Sequence, residues 1–125
     1  MRWLTMWLCL AIAPTMAATT QWNGFYACAQ GASAMKLTVI DDDPTRITAV
    51  FAFGPTPGNP GVPRGAFTLR GIRRGAEVEL APDAWLEQPD GYEMVGLNGR
   101  ITDARFEGRI RHEGCGAFAL QRQGG

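Results

Sequence analysis

From position 25 onward, apolar residues fall at every second position in short runs, and each run stops near glycine, proline or aspartate. Side chains two apart share one face of a β-strand, so this pattern describes half-buried strands. Helical spacing is almost absent. The runs predict strands over Phe25–Ala29, Met35–Ile40, Arg46–Phe53, Gly65–Ile72, Ala76–Leu80, Tyr92–Ile101, Arg105–Arg111 and Cys115–Arg122. Phe51, Leu69, Leu97, Phe106, Ile110 and Phe118 hold the in-phase positions and are expected to share one core. Asp41-Asp42-Asp43-Pro44-Thr45 reads as a turn, because short carboxylates and proline break a strand.

One signal conflicts with this phase. Asn98-Gly99 is a strong two-residue hairpin turn. A turn there would split the in-phase set Val95, Leu97 and Ile101. The turn is therefore placed at Thr102-Asp103-Ala104, and Gly99 is read as a kink or close-packing point inside a strand. Two segments carry no strand signal. Pro55–Arg64 (PTPGNPGVPR) reads as a stiff extended loop, and Pro82–Pro89 has room for at most one helical turn between its prolines. Together the runs describe an all-β domain, a small antiparallel meander of about eight strands closed as a barrel or a sandwich, since closure removes exposed edges.

Residues 1–17 read as a secretory signal peptide. Arg2 is the basic start, Trp3–Ala13 is apolar apart from Thr5, and Thr15-Met16-Ala17 supplies the small residues of a cleavage site. The apolar run is shorter than the roughly 20 residues that span a bilayer. The alternative is a retained N-terminal anchor. Cleavage leaves one domain, 18–125, without a membrane span, in the periplasm or outside the cell. Cys9 leaves with the leader, and no small residue before it marks a lipid-modified cysteine. Cys28 and Cys115 remain, an even count in an oxidising compartment, and are expected to form a disulfide.

The motifs W-x-G-x-Y-x-C-x-Q-G (Trp22–Gly31), W-x-x-x-P-x-G-Y-x-x-V-x-L-x-G (Trp85–Gly99), Gly114-Cys115 and Phe118-x-Leu120-x-Arg122 span nearly all of the mature chain. In them the chain resembles a family of small secreted bacterial all-β domains of uncharacterised activity. The Tyr-x-Cys start before a β-meander also looks like the periplasmic c-type lysozyme inhibitors, which are small disulfide-closed barrels. That likeness implies an inhibitor-like role. Those inhibitors insert a Ser-Gly loop and a tyrosine into the lysozyme cleft, whereas here Ser33 is the only serine and lies elsewhere.

Catalysis through a nucleophile needs a base beside it. Ser33 is the only serine and His112 the only histidine, and His112 sits in Arg111-His112-Glu113-Gly114, which reads as a turn. It reads as an exposed turn histidine. Asp41–Asp43 lacks the spacing of a calcium loop and reads as a solvated turn. No catalytic residue, metal site or cofactor is expected. Lys and Arg number 12 against 12 Asp and Glu, with no basic stripe, which argues against nucleic acid. Arg70, Arg73 and Arg74 are expected to balance Glu77 and Glu79 on a hairpin.

The aromatic residues carry the functional expectation. Trp22 and Trp85 read either as plugs for the ends of a small barrel or as loop aromatics that meet a partner. Asn59, Trp85 and Tyr92 are the candidate binding residues, on the two longest segments without strand signal. The reading is a non-enzymatic secreted or periplasmic binding or inhibitor-like module whose partner is a protein or a cell-wall glycan. A structural accessory domain of an envelope assembly is the alternative, and a small hydrolase ranks last. Oligomeric state is left open.

Overall fold

The computed structural model describes residues 18–124. The leader and Cys9 lie outside the described residues. Eight strands follow in order: β1 (Ala18–Cys28), β2 (Gly31–Asp41), β3 (Arg46–Gly54), β4 (Gly65–Arg74), β5 (Glu77–Glu87), β6 (Gly96–Ile101), β7 (Arg105–Arg111) and β8 (Ala117–Gln123). Each runs antiparallel to its chain neighbours, and β1 also pairs with β8. The sheet is thus a closed up-and-down barrel. Of the two closures that the strand pattern allows, this is the one that leaves no edge along the seam. Among the described residues no helix is long and apolar enough to cross a membrane.

The closing strand explains the closure. β1 pairs with β2 along its whole length, and its middle, Gln21–Tyr26, also pairs with Gln123–Phe118 of β8. Gly24 faces inward on that seam, and a Cβ there would strike the backbone carbonyl of Ala119. Only glycine lets the two strands approach so closely. Cys28, at the end of β1, is bonded to Cys115 in the turn before β8, across 87 residues.

Inward positions alternate as the period-two pattern requires. Phe51, Leu69, Leu97 and Phe106 are fully buried, with Ile110 and Phe118 beside them. Gly99 lies inside β6, opposite Gly108, and the following turn falls at 102–104. A Cβ at Gly99 would collide with the rings of Phe106 and Phe118, which meet edge to face at 5.1 Å. The aromatic pair therefore occupies the room that this glycine leaves.

Several boundaries differ from the sequence reading, and β8 begins at Ala117, two residues after the expected Cys115. β1 and β2 reach further towards the N-terminal side of the domain and the turn between them, because barrel pairing orders residues that carry little apolar signal. The segment 82–87, read as non-strand, belongs to β5. Its register slips opposite Thr68: Leu69 faces Pro82 and Phe67 faces Trp85, which is a bulge. β6 pairs with β5 only over Glu77–Leu80, so no strand on that side of Pro82 calls for its missing N–H. The Thr68 hydroxyl fills the bulge, accepting from the Ala84 N–H at 3.1 Å and donating to Asp83 at 3.1 Å. Conversely, residues 92–95 leave the sheet, and β6 starts only at Gly96. Gly91 takes a positive φ of 77°, and the Tyr92 N–H donates to the Pro89 carbonyl, which turns the chain there.

The arginines also pair otherwise than expected. Arg70 meets Asp83 at 3.1 Å, Arg73 lies 3.8 Å from Asp41, and Glu77 is taken by Arg100. The bulge brings Asp83 beside Arg70, and the twist of neighbouring strands brings Arg73 to β2.

Two measurements test this core. Phe106→Ala is expected to lower unfolding free energy by about 3–5 kcal/mol in chemical denaturation. A loss below about 1 kcal/mol would show that the ring is not buried as described. Replacing both Cys28 and Cys115 by alanine is expected to cost roughly 2–5 kcal/mol while leaving the β-sheet circular dichroism intact in the folded fraction.

Candidate binding site at the upper mouth

Four connections gather at one end of the barrel, here called upper: the β1–β2 turn at 29–30, the loop 55–64, the loop 88–95 and the turn 112–116. The lower end carries the shorter turns 42–45, 75–76 and 102–104. Trp22 closes that lower end. It is buried, its ring meets Phe106 edge-on at 6.0 Å, and its N–H donates to the Thr20 hydroxyl at 3.0 Å. An indole buried with its N–H satisfied packs as core. So Trp22 takes the plug role, and no equivalent plug fills the upper end.

A cavity of about 350 Å³ opens at the upper end; the lower end has a pocket of about 390 Å³ outside Trp22, rimmed by the charged residues Asp41, Arg73, Asp103 and Arg122. Its floor is aromatic: Tyr26, Phe51, Phe53 and Phe67 from the barrel wall, with Tyr92 from the loop. Phe51 and Phe67 stack at 4.7 Å, Tyr26 meets Phe51 edge-on at 5.2 Å, and Tyr92 stacks on Phe53 at 5.4 Å. The disulfide forms one wall, since both Cys28 and Cys115 line the space. The rim carries Gln30, Glu93, His112 and Glu113.

The three sequence-derived binding residues fall into different places. Tyr92 lines the cavity. Trp85 is half-buried behind it, on the part of β5 beyond the bulge, with its ring 5.3 Å from Phe67 and 6.4 Å from Phe53. Asn59 is a tether: its side-chain amide donates to the backbone carbonyls of Gln30 at 2.7 Å and Ala32 at 3.2 Å. It pins the proline-rich loop to the β1–β2 turn, helped by the paired Thr56 and Asn59 backbones and by the buried Val62. The structure thus brings Tyr92 to the cavity and sets Asn59 and Trp85 as its supports.

Tyr26, Gln30 and Ser33 form a polar cluster beside the floor. The Gln30 amide donates to Ser33 at 3.3 Å and lies 3.5 Å from the Tyr26 hydroxyl. Burial pushes the Tyr26 phenol up to about 12, and the neighbouring Tyr92 adds to this, against the lowering effect of hydrogen bonds from Ser33 and Gln30. Tyr26 is therefore a neutral hydroxyl at any physiological pH. Ser33 is fully buried, away from the only histidine's partners, which are Glu93 and Glu113.

His112 is exposed in its turn, yet both ring nitrogens are engaged. Nε2 lies 2.9 Å from the Glu93 carboxylate and Nδ1 lies 2.6 Å from the Glu113 carbonyl. Both partners only accept, so both nitrogens are satisfied together only in the imidazolium form. The bond to Glu93 first, then that to the Glu113 carbonyl, raises the His112 pKa above its ordinary value. Sequence reasoning placed His112 in a turn but gave no means of pairing it with a residue 19 positions away. Among the described residues, no group of three or more His, Cys, Asp or Glu side chains is placed to hold a metal ion.

Comparison with protein-family models, with curated proteins and with solved structures gives no match to this chain. The class that the coordinates define is an eight-stranded, disulfide-closed up-and-down barrel with one aromatic mouth.

The histidine pair has a direct readout. A raised folded pKa means that the pair stabilises below the unfolded value near about 6.5 and that this contribution is lost as pH rises through the folded pKa. The single imidazole resonance in an NMR titration is expected to have a midpoint above that value, and Glu93→Gln is expected to bring it down. A midpoint unchanged by Glu93→Gln would show that the pair does not form in solution.

Proposed function

We propose that this chain is a non-enzymatic, exported binding module that receives a ligand or a partner's side chain through the upper mouth of the barrel. The observation that carries the reading is the aromatic cavity at the end where all the longer loops converge. Concave, mostly apolar sites with a few polar rim groups are where proteins take small ligands. A barrel of this size fills its interior with side chains, as this one does, so a ligand has room only at a mouth. At the lower end Trp22 is buried beneath a pocket rimmed by charged residues, whereas the upper cavity lies against the aromatic part of the core. The inhibitor-like form of this reading has the mouth or its rim engaging a protein, and a cell-wall glycan would stack on Tyr92.

The non-enzymatic part rests on the placement of the reactive groups. Ser33 is buried against Gln30, His112 is held by Glu93 and Glu113, and the two described cysteines are joined. Export rests on the leader and is supported by the disulfide, which persists in oxidising compartments. A structural accessory domain is the second reading, favoured by the exposed Phe25 on the outer wall.

Two substitutions test the mouth. Ala29 lines the cavity at its exposed rim, so Ala29→Trp places an indole over the opening, and Tyr92→Ala removes a wall. Both are expected to reduce capture from an envelope extract, or of lysozyme or peptidoglycan offered separately, by about tenfold or more. Ala29→Trp is expected to leave the melting temperature within a few degrees. Capture unchanged by Ala29→Trp would move the proposal to the outer wall.

A further inference from the structure

The chemistry of the mouth narrows what enters it. Five aromatic rings surround the space, of which Tyr92 is half-buried and Tyr26, Phe51, Phe53 and Phe67 are packed into the core beneath it, and neither lysine nor arginine is among the lining residues. The fixed charges there are the carboxylates of Glu93 and Glu113, against the single imidazole of His112. Ring faces present negative potential and attract cations, more strongly as the site sheds water. An anion would meet two carboxylates near an apolar floor, where burying a charge without a counterion is costly. A neutral ligand would gain apolar burial and leave the rim carboxylates unused.

Resting on the mouth-binding reading, we infer that the occupant is a compact organic cation with an apolar body, such as a quaternary ammonium or the guanidinium or ammonium side chain of a partner, seated against Tyr92 at the mouth with its charge towards Glu93 and Glu113. The volume suits one such group and not an extended chain. His112 is the resident counterion. It faces Glu93 from the 88–95 loop and Glu113 in its own turn, while Gln30 and Tyr92, which complete the rim, carry no charge of their own there. An entering cation replaces imidazolium as the partner of Glu93. The net rim charge is about one unit more negative once His112 is neutral, so cation binding tightens as pH rises through the histidine's titration.

The test is an NMR titration of the purified protein with choline, with its uncharged isostere in which carbon replaces the quaternary nitrogen, and with pivalate as the anion. Blocked arginine and lysine amides form two further arms and distinguish a partner's side chain from a free amine. Choline or a blocked cationic amide is expected to shift the amides of Gly91, Glu93 and Val95 and to saturate at least about fivefold more tightly than the neutral isostere. Pivalate is expected to leave them unmoved. The preference is expected to vanish in Glu93→Gln/Glu113→Gln, whose exposed side chains leave the melting temperature close to that of the parent. It is expected to lose its pH dependence in His112→Gln. The neutral isostere binding as tightly as choline would overturn the cation inference and leave the mouth-binding proposal standing. No mouth resonance moving with any probe would overturn both.

Discussion

The seam between β1 and β8 is the constraint on which the rest of this fold depends. A meander of eight strands has two free edges, each a row of unpaired N–H and C=O groups. Here six residues of β1 pair with six of β8, and both edges disappear. Trp22, Tyr26, Phe118 and Leu120 are buried from those two strands, so the core is complete only when the seam forms. The partners lie at opposite ends of the chain, and closing such a long loop is entropically costly. The disulfide reduces that cost by tying the same ends in the unfolded chain. Gly24 does the complementary steric work, since any larger residue would hold the seam apart.

The two barrel ends then diverge for local reasons. At the lower end short turns follow the strands directly, and Asp43 organises one of them. Its carboxylate accepts from the N–H groups of Thr45 and Arg46, both at 2.7 Å, and these bonds hold its pKa below the usual carboxylate range. At the upper end the loops are longer, and each is tethered separately: 55–64 by Asn59, 88–95 by the turn at Gly91, and 112–116 by the disulfide and the bond from Gly116 N–H to the Ala27 carbonyl. These loops cap the core with Val62 and Val95 and lay Tyr92 on Phe53, and the cavity lies above that packed layer.

Most of the fold was legible because alternation is a direct image of burial. The six residues assigned to the core are buried, Gly99 lies within a strand, and the cysteines pair. The failures have physical causes. Proline around 82–89 argued for a loop, but a bulge opposite Thr68 and a missing neighbour on the far side let Pro82 sit in β5. Apolar phase at Val95 argued for a strand beginning at Tyr92, but a loop residue also buries its side chain when a positive-φ glycine turns it inward. Of the three candidate binding residues, Tyr92 lines the cavity, while Asn59 tethers the 55–64 loop and Trp85 packs against Phe67 beside it. The pairing of His112 with Glu93 left no trace in local sequence, because it joins two loops that the β6–β7 pairing of Gly96 with Arg111 brings side by side.

The cysteine pair connects these points. Cys28 and Cys115 close the seam, and the same two residues form a wall of the cavity. The turn that carries Cys115 also carries His112 and Glu113, so the bridge sets the position of two of the three charged rim groups relative to the floor contributed by Tyr26. Fold closure and site geometry are therefore one constraint. In many small barrels a mouth is able to vary while the seam stays fixed. In this one, the bridge and the bond from Gly116 N–H to the Ala27 carbonyl hold the rim, and the ladder from Gln21 to Tyr26 holds the barrel below it. The site is thus expected to be the part of the molecule most sensitive to reduction, and the barrel beneath it the least.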